Sequence, residues 1–167
     1  MRAAVVYESW FGNTQKIAEA IAEGLRSGGE AVVVSVDQPA PHLGEIDLLV
    51  VGAPTHIHGL SSGASRKSAV QQLGTDGRAG RGVRDWLQEL PAGEGRAAAA
   101  FDTRIEKPVV LVGSAARKIA KRLERHGFEL VVPPESFFVL DAQGPLKEGD
   151  LERANAWAQR LAGAVPA

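Results

Sequence analysis

The chain has 167 residues, a net charge of −1, 44% hydrophobic residues and no cysteine. That composition excludes a disordered segment, a disulfide framework, a thiolate nucleophile and a zinc–thiolate centre, and the length fits one domain with a full core. Scattered basic residues without interleaved aromatics argue against a nucleic-acid surface, and the lack of a leader or a twenty-residue apolar run leads us to expect a soluble cytoplasmic protein with no membrane partner.

The first element is an apolar run from Ala3 to Tyr7, β-branched and aromatic as a buried strand should be. It stops at a polar loop, Glu8 to Gly12, and a helical pattern follows at once. Ile17, Ile21 and Leu25 recur every four residues beside Ala18 and Ala22, while Gln15, Lys16, Glu19 and Glu23 turn to water. A helix that begins directly after a strand leaves several main-chain N–H groups unpaired and pointing one way. With the hydroxyls of Ser9 and Thr14 and the amide of Asn13, they form a neutral cup for a phosphate dianion. The plainer alternative is an ordinary strand–helix turn. No Gly-Lys-Ser/Thr sequence is present to hold a nucleoside triphosphate, and no G-x-G-x-x-G marks a dinucleotide site.

Further on, Ala31 to Val36 reads as a second strand and Ile46 to Val51 as a third, almost wholly apolar as in a sheet covered on both faces. Then come Gly52 to Gly59 and about twenty-five polar residues, a length of loop that is usually functional, with Lys67 to Leu73 as a possible short helix. Val83, Trp86, Leu87 and Leu90 mark another helix. Arg96 to Phe101 is a small-residue strand leading into Asp102, Thr103 and Arg104. Val109 to Val112 is too short to classify. Gly113 and Ser114 open a helix that buries Ala116, Ile119, Ala120 and Leu123, with Lys118, Lys121, Arg122 and Arg125 as a solvated face. Phe128 to Val132 is the last core strand. Pro133 and Pro134 interrupt it, and Ser136 to Leu140 is either its extension or a side hairpin. The final helix, Glu148 to Leu161, should bury Leu151, Ala154, Trp157, Ala158 and Leu161.

Alternating strands and helices predict a three-layer α/β domain with a parallel sheet and right-handed crossovers. The unusual loops follow the first, third and fourth strands, so all three emerge on one edge. In the second loop, His56 and His58 have the alternate spacing of zinc ligands, but a third and fourth ligand are missing and a capping or polar role is the better reading. Asp102 could act as an acid/base group or cap a turn. Arg104, with Arg66, Lys67, Arg78 and Arg81, could meet an anionic ligand or an acidic partner, or could simply be solvated.

Ser9-Trp10-Phe11-Gly12-Asn13-Thr14 resembles the flavodoxin phosphate loop, a Ser/Thr-rich stretch ending in Gly-Asn-Thr that wraps the phosphate of FMN without a cation. Pro54-Thr55-His56-Ile57-His58-Gly59 resembles the family's loop over one face of the flavin ring. Phe101-Asp102-Thr103-Arg104 stands where its other ring-facing loop lies, and Gly113-Ser114-Ala115-Ala116-Arg117-Lys118-Ile119 resembles a helix start in a bacterial flavodoxin-like subfamily. The resemblance covers the whole chain, residues 1–167, as a single flavodoxin-like domain. It implies a five-stranded doubly wound sheet in the order 2-1-3-4-5 with FMN at the switch point between the first and third strands. It further implies cofactor contacts from all the named loop residues, no metal, and electron transfer between a reductase and an acceptor enzyme. The chain departs from the family in its near-neutral charge, in Trp10 and Phe11 where Thr or Ser is commoner, and in lacking a Trp and a Tyr in the ring-facing loops. His56, His58 or Phe101 would have to substitute for them. Two other functions stay open: an NAD(P)H-dependent quinone or nitro-compound reductase, and a binding module that has lost its cofactor.

Overall fold

The structure, a computed structural model, describes residues 1–55, 60, 62 and 81–167. The chain runs β1 (Arg2–Tyr7), α1 (Asn13–Leu25), β2 (Glu30–Ser35), β3 (Leu48–Pro54), α2 (Val83–Gln88), β4 (Ala97–Ile105), α3 (Val109–Val112), α4 (Ala115–Arg125), β5 (Glu129–Leu130), β6 (Glu135–Val139) and α5 (Asp150–Ala164). The possible helix at Lys67 to Leu73 lies outside the described residues.

All strand pairs in the sheet are parallel, in the order β2-β1-β3-β4-β5, and β6 pairs with β4 beyond β5. The expected order is therefore present, with a sixth strand as its one addition. β5 pairs with Ala97 and Ala98, and β6 pairs with Phe101 to Ile105 of the same neighbour. They are two halves of one edge strand, broken at Pro133 and Pro134, which have no N–H to give a ladder. The extension reading was the correct one. β4 runs four residues past the predicted end at Phe101, because β3 pairs it out to Thr103 and β6 out to Ile105.

Strand side chains alternate between two cores, as a pleated sheet covered on both faces demands. Ala4, Val6, Leu49, Val51, Ala98 and Ala100 face α2 and α4 together with Trp86, Ile119 and Leu123. Ala3, Val5, Leu48, Val50, Ala97, Ala99 and Phe101 face α1 and α5. The alanines of β4 leave space on this second side, and Phe101, Phe137 and Trp157 fill it edge to face, with centroids 5.9–6.5 Å apart. Phe101 also lies across Gly52, where a Cβ would sit 2.0 Å from its ring. Gly24 plays the same part between α1 and α5: a Cβ there would meet the Asn155 carbonyl at 2.4 Å. Leu151, expected in the core, is 41% exposed on α5, one position off the buried stripe of Ala154, Trp157, Ala158 and Leu161.

Candidate functional site

Among the helices that begin at the carboxyl edge of the sheet, α1 and α4 have N-termini that are finished differently. α1 follows β1 through residues 8–12, with Gly12 as its N-cap in the left-handed region (φ 87°) and no side chain capping it. Lys16 N–H is the first to find a helical acceptor, the Gly12 carbonyl at 3.1 Å. The donors of Asn13, Thr14 and Gln15 lie ahead of it, at the positive end of the helix dipole. A Cβ on Gly12 would meet nothing within 4 Å, so the loop opens onto free space there. Ser9 Oγ is buried and, among the described residues, has no hydrogen-bond partner.

The side chains of Asn13 and Thr14 point elsewhere. Asn13 Nδ2 donates to the Gln143 carbonyl at 3.1 Å, in the loop after β6. Thr14 and Thr103 share a buried hydroxyl–hydroxyl hydrogen bond of 2.7 Å, tying the first loop to the end of β4. Both side chains are thus already hydrogen-bonded within the fold, while the main-chain N–H of each is without a helical acceptor.

Glu8 is a buried carboxylate that the sequence presented only as loop polarity. Its Oε1 accepts from Val83 N–H at 2.8 Å, and its Oε2 accepts from Trp10 Nε1 at 2.9 Å. It thereby joins the first loop to the start of α2 and fixes the indole of Trp10. Nothing local in the sequence marks this role, since the partner is seventy-five positions away.

At α4 every exposed main-chain donor of the first turn is answered by a side chain. Asp102, fully buried, accepts through Oδ2 from Thr55 Oγ1 (3.0 Å), Ser114 Oγ (2.8 Å) and Ala116 N–H (3.0 Å). Thr55 Oγ1 in turn accepts from Ala115 N–H at 3.0 Å, and Ser114 Oγ accepts from Arg117 N–H at 3.3 Å. Asp102 is thus a helix cap that also ties β3 to β4. Its other oxygen, Oδ1, has no hydrogen-bond partner among the described residues and lies 4.0 Å from Arg104 Nε.

Arg104 faces β6 rather than the open edge. Its Nε donates to Ser136 Oγ at 3.1 Å, Nη1 donates to the Lys107 carbonyl at 2.7 Å, and the guanidinium stacks 5.1 Å from the centre of the Phe138 ring. Phe101, considered as a ring-facing aromatic, is wholly buried in the aromatic trio and does not reach the edge. The sequence missed this because β4 continues past it. Trp10 and Phe11 are half-buried in the first loop, and Pro54 is half-buried at the end of β3. His56, His58 and Gly59 lie outside the described residues, as do Arg66, Lys67 and Arg78.

Tyr7, the last residue of β1, has its phenol held above the usual value, first by burial and then by the negative charges of Glu19 and Asp37. Among the described residues no group of histidine and carboxylate side chains could hold a metal ion. Among them, too, no helix is long and apolar enough to cross a membrane.

The family profile described as Flavodoxin matches residues 5–157. The solved structure of a flavodoxin from the domain Archaea is 22% identical and superposes with a TM-score of 0.69 over 99% of both chains. Oxidised Flavodoxin 2 from Bacillus cereus is 22% identical with a TM-score of 0.68, over 98% of this chain and 99% of that one. A WrbA-like flavodoxin from Agrobacterium tumefaciens is 19% identical with a TM-score of 0.62, over 98% and 96%. No curated protein sequence matches the chain significantly. A profile that spans all but the ends, together with the observed strand order, is decisive: the chain belongs to the flavodoxin family.

Proposed function

We propose that this protein binds FMN at the open N-terminus of α1 and carries electrons between a reductase and an acceptor enzyme. The observation behind this reading is Ser9, whose hydroxyl is closed off from solvent yet has no partner, next to main-chain donors that are equally uncapped. A buried polar atom without a partner is costly, and a phosphate oxygen would satisfy it. The Ser9 hydroxyl and the N–H groups of Gly12, Asn13 and Thr14 would hold the phosphate by dipoles instead of a cation. Asn13 and Thr14 keep the loop in shape through Gln143 and Thr103. Glu8 spends its charge on α2 and on Trp10, and the half-buried Trp10 and Phe11 shield the loop from water. Pro54, Thr55 and Thr103 stand at the strand ends beside the loop, where the ring of the cofactor would lie. FMN, when bound, supplies the redox chemistry, and the protein tunes it by contact and charge.

The test is a titration of the purified protein with FMN. Quenching of flavin fluorescence and a rise in melting temperature are expected, because a ligand selective for the native state must stabilise it. Unaltered fluorescence and melting temperature at saturating FMN would refute the proposal. Rapid NADPH oxidation with a quinone and no partner protein would replace the carrier role by a reductase.

A further inference from the structure

Between β4 and α4 the chain displays apolar surface that a soluble protein normally hides. α3 has Val110 85% exposed and Leu111 63% exposed, the two most exposed large aliphatic side chains among the described residues apart from Leu140. Along the chain Lys107 precedes them and Arg117 and Lys118 follow at the start of α4, all exposed. Among the described residues none of these three has an ion-pair partner. Glu106, the adjacent carboxylate, is already neutralised by Lys147 at 2.6 Å.

The positive charge continues along α4, which carries Arg117, Lys118, Lys121, Arg122 and Arg125 against Glu124 alone. Arg122 reports how crowded these charges are. Its guanidinium is pushed below its ordinary value by burial first, and then by the neighbouring cations Arg84 and Arg125. Arg153, on α5, is the opposite case. Burial lowers it, but Asp150 and Glu135 more than offset this and leave it raised. In a chain of net charge −1, one helix face is therefore markedly basic, and among the described residues none of its cations is in an ion pair.

We propose that α3 and the outer face of α4 form a docking surface for a protein with an acidic rim around an apolar centre. An apolar knob ringed by charges is the anatomy of a protein interface, and uncompensated cations steer an acidic partner to it. Single-stranded nucleic acid fits less well, since none of the exposed large hydrophobic residues is aromatic and no base could stack. The knob joins the carboxyl end of β4 to the capped start of α4, so the partner would sit beside the edge where α1 opens. Its use for electron exchange rests on the FMN reading above; the surface itself does not.

The experiment uses the full-length protein and four probes: polyglutamate, polyglutamate with a leucine at every fourth position, single-stranded oligothymidylate, and phosphatidylserine vesicles. Polyglutamate should bind in low salt and weaken as salt rises. The R117E/K118E double variant should lose about tenfold in affinity for it. V110S/L111S should lose affinity for the leucine-bearing peptide and keep it for plain polyglutamate. All four positions are exposed, and circular dichroism verifies that the variants are folded. Polyglutamate binding that is absent, or indifferent to R117E/K118E, would overturn the proposal. So would tighter binding of oligothymidylate or of the vesicles. FMN fluorescence is followed in parallel, so a protein that ignores FMN yet binds the acidic peptides refutes the cofactor reading and leaves this one standing.

Discussion

α1 and α4 start at the same sheet edge and meet the same physical problem, namely unpaired N–H groups at the positive end of a dipole. α4 solves it internally, with Asp102, Thr55 and Ser114 supplying every acceptor. α1 does not, and even keeps a buried hydroxyl idle beside the gap. A fold that closes one terminus so fully could have closed the other with one carboxylate. The difference makes α4 scaffold, and on the FMN reading proposed above it leaves the donors of α1 for an acceptor supplied from outside.

The sharpest way to break the comparison is Asp102→Ala. It strands the donors of Thr55, Ser114 and Ala116 at once, and should cost about 3 kcal/mol of stability. Denaturant unfolding should show the loss with and without FMN. A loss seen only with FMN would make Asp102 a ligand contact rather than a cap. Next in size is Ser9→Ala, which should weaken FMN by about tenfold while the unliganded protein keeps its stability, because a hydrogen bond to a charged group is worth roughly 1.5–3 kcal/mol. Flavin fluorescence and melting curves separate the two effects, and a destabilised apoprotein would mean that the hydroxyl is structural after all. Thr14→Val breaks the link to Thr103 and should cost about 1 kcal/mol, again measured by denaturant unfolding, with a smaller effect on FMN than Ser9→Ala because the Thr14 hydroxyl is engaged with Thr103.

The smallest effect concerns Tyr7, the only tyrosine in the chain, so that phenolate absorbance reads it alone. Its raised folded value means that it adds stability below the unfolded value near pH 10, and that this stability is lost as pH climbs through the folded value. The titration midpoint should lie above that of free tyrosine, and a phosphate seated at α1 should move it further in the same direction. A midpoint at or below the free value would show that neither burial nor the charges of Glu19 and Asp37 hold the phenol up.

What could be read from the sequence follows from how local each signal is. The strand–loop–helix at the head of the chain was legible because Ala3 to Tyr7 and Ile17 to Leu25 carry clean periods and Gly12 marks the turn. The α4 start was legible from Gly113 and Ser114. The full length of β4 was not, since Asp102 and Thr103 are strand through pairing with both β3 and β6, and Arg104 and Ile105 through β6, and the β6 pairing is also what sends Arg104 away from the edge. Phe101 looked like a candidate for the ring because its neighbours belong to a loop motif, yet its environment is set by Gly52, Phe137 and Trp157, far apart in the chain. Glu8 was opaque for the same reason.

The break at Pro133 and Pro134 has a consequence beyond strand geometry. Successive N–H groups of an extended chain point to opposite sides, so two adjacent prolines remove one donor toward β4 and another toward the outside. Farther along the same border, the segment from Pro145 to Lys147 already occupies it, with Leu140 N–H on the Pro145 carbonyl and Lys147 N–H on the Phe138 carbonyl. A stray strand from a neighbouring molecule would find this margin toothless in one half and taken in the other. Growth of the sheet across this border is thereby discouraged when the protein is crowded.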